Sequence, residues 1–298
     1  MLRYRLEYAL IWPVVKGLGL LPRAVARFLA GSIGLLLFWC APRLRAVGRR
    51  NLAMAMPELS APGRDRILRG VFRNLSRMLA EFALFPRYRA GNVARVIAYD
   101  GFENYAEAIG RGKGVLYLTG HLGAWELGAF AQSVYGHPLY VVIRALDNPY
   151  LNELVNRYRG LAGNRVIEKR DFLRGILEAL KKNGAVGILM DQNASLAEGV
   201  FVDFFGALAC TPAGMAKIAR RTGAAVVPSF AFWTGNQYRL VFDRPLELQS
   251  TGDEQADIVA NTQLFTKVLE DYVRRYPDQW LWIHRRWKTR PPGEASLY

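Results

Sequence analysis

The sequence predicts an α/β fold: a central mixed, mostly parallel sheet with helices on both faces, preceded by apolar, basic helices at the N-terminus. Three observations lead there. From residue 112 onward, short β-rich apolar runs alternate with amphipathic stretches, the pattern of strands covered on both sides by crossover helices. The chain has 298 residues, 51% hydrophobic and 12% aromatic, so it can bury a large core and is too apolar to stay disordered. Residues 1–50 interleave apolar runs with Arg3, Arg5, Lys16, Arg23, Arg27, Arg43, Arg45, Arg49 and Arg50 against one acid, Glu7.

Within that N-terminal stretch the apolar runs are Leu6–Val15 and Phe28–Ala41. The second has 14 uncharged residues, short of the ~20 that a spanning helix needs. Reaching back to Ala24 lengthens it only if Arg27 snorkels. Trp12 and Trp39 suit the headgroup level. Residues 1–45 are therefore expected to attach the chain to a membrane, lying in the interface or as one tilted span. The competing expectation is a pair of core helices with basic flanks.

Residues 43–90 read as helical and basic. After Pro62 and Gly63, the positions Ile67, Leu68, Val71, Phe72, Leu75, Met78, Leu79 and Phe82 recur at helical spacing, with Arg64, Arg66, Arg69, Arg73 and Arg77 on the other face. Strands are expected at Gly114–Thr119, Leu139–Arg144, Ala185–Asp191 and Ala224–Trp233. Helices are expected at Trp125–Tyr135, Pro149–Leu161, Asp171–Lys182 and Pro212–Thr222. Tyr238–Leu248 follows the turn Thr234-Gly235-Asn236 as an antiparallel strand, which makes the sheet mixed. A long helix, Asp253–Tyr276, precedes a Trp-rich basic tail. No repeat or linker divides residues 46–298, which read as one catalytic domain.

Lys and Arg outnumber Asp and Glu by 40 to 25, a net charge of +15. Such a surplus fits an anionic partner. A nucleic-acid or purely structural membrane-binding role is the non-enzymatic alternative, but no recognition motif accompanies the basic stripe. Cys40 and Cys210 are too few and too far apart for a disulfide scaffold or a cysteine metal site. There is no nucleophile elbow, no P-loop, no dinucleotide fingerprint and no His-Glu-x-x-His, so neither cofactor nor metal is expected.

Of the three histidines, His137 falls in a turn and His284 sits among guanidiniums, where packing is the expected role. His121 differs. It follows the strand GVLYLT at the carboxyl end, where open α/β sheets bind ligands, and opens Gly120-His-Leu-Gly-Ala-Trp-Glu126. If His121 lies in the loop and Glu126 in the first helical turn, the carboxylate can fold back and fix the imidazole tautomer. The other nitrogen is then a base for a hydroxyl.

These residues resemble the bacterial late acyltransferases of lipid A biosynthesis, a lauroyl/myristoyl group within the lysophospholipid acyltransferase superfamily. The resemblance is carried by GHLGAWE at 120–126, Arg144 with Asp147-Asn148-Pro149, Asp191-Gln192-Asn193, the stretch 199–228 and WLWIHRRWKTRPPG at 280–293. It implies a glycerol-3-phosphate acyltransferase-like fold. It also implies transfer of a fatty acyl group from acyl carrier protein to a hydroxyl of a phosphorylated lipid A precursor, at the cytoplasmic face of the inner membrane. By position, His121 would be the general base and Glu126 its orienting partner. Arg144, Asp191 and Asn148 would bind substrate or the oxyanion, and FVDFFG at 201–206 would belong to an acyl groove. Arg285, Arg286 and Lys288 would meet the acceptor or the acidic carrier. A superfamily member acting on a lysophospholipid, glycolipid or aminolipid is the nearest alternative.

Overall fold

The strand–helix alternation read from residue 112 builds a twisted central sheet in the computed structural model, which describes residues 1–168 and 172–298. The helices are α1 (Leu2–Leu20), α2 (Arg23–Cys40), α3 (Pro42–Ala55), α4 (Ala61–Leu84), α5 (Ala90–Val93), α6 (Phe102–Gly110), α7 (Trp125–Val134), α8 (Pro149–Gly160), α9 (Phe172–Lys181), α10 (Gly214–Thr222) and α11 (Glu254–Arg275). The strands are β1 (Ile97–Asp100), β2 (Val115–Thr119), β3 (Leu139–Ile143), β4 (Arg165–Glu168), β5 (Ala185–Leu189), β6 (Gly199–Phe204), β7 (Ala207–Pro212), β8 (Ala225–Trp233) and β9 (Tyr238–Phe242). Asp171, the expected first residue of the helix ending at Lys182, lies outside the described residues.

Among the described residues the main sheet runs β1-β9-β8-β2-β5-β3-β4. Strands β8, β2, β5, β3 and β4 are mutually parallel, while β9 is antiparallel to β8 and carries β1 parallel to itself. The mixed, mostly parallel sheet is therefore as expected. Leu116 and Leu118 pack with α9 and α10 on one face, and Val115 and Tyr117 with the α7 side on the other. That double cover is why the run VLYLT has no polar alternation.

The hairpin β6–β7 goes beyond the elements expected from the sequence. Its two-residue turn, Phe205-Gly206, has φ of 59° and 77°, the double positive φ of a type I′ connection. Asn-Gly or Asp-Gly normally signals such a turn. Here the Phe205 N–H is instead held by the Glu270 carboxylate at 2.8 Å. Phe204 and Phe205 pack on Trp280, Trp282 and Trp287, so with Val202 the apolar side of FVDFFG is core, while Asp203 and Gly206 are exposed.

Helix α2 lies along α4. Ala26, Ala30, Gly34 and Phe38 recur every fourth residue on its buried face, and Gly34 is required because a Cβ there would strike the Ser76 hydroxyl. Val15 and Leu18 of α1 join Ala26 and Ala30 in the same core as Val115 and Ala231. The opposite face of α2 is bare, with Phe28 73%, Leu36 62% and Trp39 60% exposed. Helix α3 runs through the 45/46 boundary set from sequence.

Candidate active site

Strands β2 and β5 are neighbours with Thr119 opposite Leu189. Two residues beyond that pair, the chain places His121 beside Asp191. The His121 backbone N–H donates to Asp191 Oδ2 at 2.8 Å, and its ring Nδ1 lies 2.8 Å from Asp191 Oδ1. Trp280 Nε1 donates to Asp191 Oδ2, also at 2.8 Å. Burial alone would push the Asp191 carboxyl up, but the adjacent imidazole and these donors bring it down to about 2. An ionised carboxylate only accepts, so Nδ1 carries the proton and Nε2 keeps its lone pair. Burial opposes charge on His121, yet Asp191 outweighs it and raises the imidazole pKa above its ordinary value. The pair can take a proton from a bound hydroxyl at Nε2.

The loop holding His121 is clamped from outside the sheet. Leu281 N–H donates to His121 O at 3.1 Å and Gly123 N–H to Gln279 O at 2.9 Å. Asn74 of α4 donates to Gly123 O at 2.8 Å. Gly123 has φ 66°, and a Cβ there would collide with Ala231 O. Glycine is therefore needed where the loop crosses β8.

Glu126 does not orient the imidazole, contrary to the expectation from its spacing. The clamped loop turns His121 toward β5, whereas Glu126, in the first turn of α7, faces α8. There Arg159 meets it in a two-pronged ion pair, Nε–Oε2 at 2.9 Å with the second contact from Nη2 to Oε1. Glu126 reaches His121 only through its charge. Arg159 carries no distinguishing sequence signal, being one of two arginines on an amphipathic helix. Asp191 is likewise not a substrate contact: it is 2% exposed and occupied by His121 and Trp280.

A narrow cleft runs under α7 along one face of the sheet. Its walls are apolar, with Val141, Leu189, Ala231 and Leu240 prominent, and Trp125, Glu126 and Arg159 also line it. The Trp125 ring stands edge-on to His121 at 5.0 Å between centroids, so one lining residue of the cleft touches the imidazole.

The remaining expected site residues fare differently. Asn148 caps α8, accepting from the Tyr150 and Leu151 N–H groups, and donates to Tyr4 O and Glu7. It is a buried tie between α1 and α8 and has no free group for substrate. Arg144 follows β3 at the same sheet edge as His121, but its guanidinium is 80% exposed and 3.6 Å from Asp147. Arg286 is fully buried and donates to the carbonyls of Cys210 and Gln192 and to Thr211 Oγ1. Burial lowers its pKa to about 10, and its role is to hold the tail, not to meet acceptor or carrier. Arg285 and Lys288 are exposed. His284 is kept neutral by burial, at about 4, and accepts from the Asn193 N–H at 3.2 Å. Among the described residues no group of three His, Cys, Asp or Glu side chains could hold a metal ion.

Comparison with known proteins gives a consistent result. A family profile described as bacterial lipid A biosynthesis acyltransferase matches residues 1–289. The lipid A biosynthesis palmitoleoyltransferase of Escherichia coli K12 is 31% identical, covering 96% of this chain and 94% of that protein. The lauroyltransferase of the same organism is 29% identical over 98% and 94%. A phosphatidylinositol mannoside acyltransferase of Mycolicibacterium smegmatis is 25% identical over 80% and 78%.

Proposed function

The chain belongs to the bacterial lipid A biosynthesis acyltransferases, and from that premise we propose that it moves a fatty acyl group from acyl carrier protein to a hydroxyl of a phosphorylated lipid A precursor. The observation that carries this reading is the His121–Asp191 pair, joined through Trp125 to an apolar cleft. The acyl chain lies in the cleft with its thioester carbonyl at His121. Nε2 takes the acceptor O–H proton as the oxygen attacks that carbonyl. The ester C–O bond forms, the C–S bond breaks, and the imidazolium returns the proton to the departing thiolate. Asp191 holds the tautomer throughout and stabilises the transient positive ring. The exposed cations Arg144, Arg285 and Lys288 suit the acidic carrier. Incubating the purified protein with acyl carrier protein thioester and the acylated, phosphorylated disaccharide should add one acyl chain to the acceptor by mass spectrometry. Transfer to lysophospholipid alone would move the assignment to another member of the superfamily.

The enzyme acts at the inner membrane, on the cytoplasmic side where the carrier is available, and the bare face of α2 supports this reading. Since one face of α2 is fixed to α4, the helix lies in the interface, and its flanking cations meet anionic headgroups. Leu36→Glu with Trp39→Glu alters only outward side chains. The double variant should shift from the membrane pellet to the soluble fraction with its circular dichroism unchanged. Full sedimentation with membranes would put the anchor elsewhere.

A further inference from the structure

Between α2 and α4 lies a second, open groove, whose lining includes Arg27, Phe28, Leu35, Arg69, Arg73 and Arg77. Arg69, Arg73 and Arg77 stand at i, i+4 and i+8 on α4, a stripe of three guanidiniums about 12 Å long. Like charges at this spacing oppose helix formation. Yet among the described residues none of the three has a carboxylate within ion-pair distance. Burial, and after it the charges of Arg27 and Arg73, hold the Arg77 guanidinium below its usual pKa. The cluster is thus a concentrated positive site: Asp65 and Asp278 act on Arg69 and Arg77 only through their charge, and Arg27 is 4.0 Å from Glu81. It is also held in place, because Arg27 and Arg77 stack on Trp233 at 4.0 and 5.2 Å.

The groove is tied through its neighbours to the loop that carries His121. Trp233 ends β8 two residues beyond Ala231, which bridges to Gly123, itself two residues beyond His121. Asn74, next to Arg73 on α4, donates to Gly123 O. The arginines and the imidazole therefore border one edge of the sheet. Apart from Arg27 and Ser32, the opposite wall on α2 is apolar and bare, with Phe28 73% and Leu35 55% exposed. A wall of guanidiniums facing a wall of exposed apolar side chains matches an amphiphile with an anionic head, whereas a soluble phosphate has no use for the second wall.

We propose that this groove seats a phosphate-bearing headgroup of the acylated glycolipid acceptor, with Arg73 and Arg77 gripping the phosphate and the acyl chains lying along α2 past Phe28 and Leu35. The assignment rests on the acceptor named above. Arginine's planar fork suits a phosphate bidentately. A hydrogen bond to a charged group contributes on the order of a tenfold affinity change.

The test compares KM for the detergent-dispersed acceptor with phosphates intact and after phosphatase treatment. The wild type should favour the intact acceptor on the order of tenfold. Arg73→Gln/Arg77→Gln should raise KM for the intact acceptor by a similar factor and erase the preference. The loss should fall on KM, since the phosphate is bound alike in ground and transition states. Arg73→Gln alone, at an exposed position, should give a smaller change of the same kind and serves if the double variant misfolds. A preference that survives in both variants overturns the proposal, as does an equal loss for intact and stripped acceptors. Phosphatidylglycerol micelles that compete as well as the intact acceptor would assign the groove to bulk anionic lipid and also overturn it. If the wild type acylates neither acceptor, the function proposed above fails. The groove is then decided by whether intact-acceptor micelles bind the wild type more tightly than stripped ones, and the double variant equally weakly.

Discussion

His121→Ala should lower kcat by 10²–10⁴-fold with the fold intact, the usual cost of losing a general base. Asp191→Ala should be comparably severe, because it removes the group that fixes the Nδ1–H tautomer. The double variant should be little worse than either single change, since the two act as a unit. The pH profile carries the sharper information. Asp191 raises the His121 pKa, and the neutral ring is the base, so activity should fall as pH drops through a pKa above the ordinary histidine value of about 6.5. Asp191→Asn removes that stabilising charge while burial still opposes protonation. Its acid limb should therefore move to lower pH while kcat falls. Glu126→Gln, acting without contact, should shift the limb less. A limb that stays put in Asp191→Asn, or moves further in Glu126→Gln, would return the orienting role to Glu126.

The contrast between Glu126 and Asp191 shows what the sequence could and could not disclose. His121 was legible because a glycine-flanked histidine directly after a doubly buried strand sits where open α/β sheets bind their ligands. Its partner was not, because Asp191 is 70 positions away and becomes a neighbour only through the β2–β5 register. Spacing along the chain favours Glu126, yet the clamp from Gln279 and Leu281 rotates the loop away from it. The HRRW segment misleads for a related reason. Its charges read as surface, but Trp280, Trp282 and Trp287 draw the tail inward and leave Arg286 to satisfy buried carbonyls. The long strands of the sheet follow from their apolar runs. The strands IAYD and RVIE are four residues each, too short to show a period, and the Phe-Gly turn lacks the usual hairpin residues.

Gly187→Leu should change which acyl chain the enzyme uses. Gly187 lies in the middle of β5, between Tyr117 of β2 and Val141 of β3. It faces the cleft under α7, and a Cβ there would find only Val141 Cγ1, at 4.0 Å. The missing side chain is thus part of the cavity, about 7 Å deeper along the strand than Leu189 at its end. A leucine has room for its Cβ and would extend its branched end into that depth, and strand propensity would not suffer from replacing glycine. A donor that then loses contact for three methylenes forfeits about 0.8 kcal/mol for each, so turnover of the wild type's preferred chain should fall roughly fiftyfold. Donors short enough to stop before residue 187 should keep their rates, and the optimum should move to shorter chains. Competition among acyl carrier protein thioesters of graded length, read by mass spectrometry of the product, measures this directly. An unchanged length profile in a folded Gly187→Leu protein would mean that the acyl chain lies elsewhere, and the cleft beside His121 would lose its assignment.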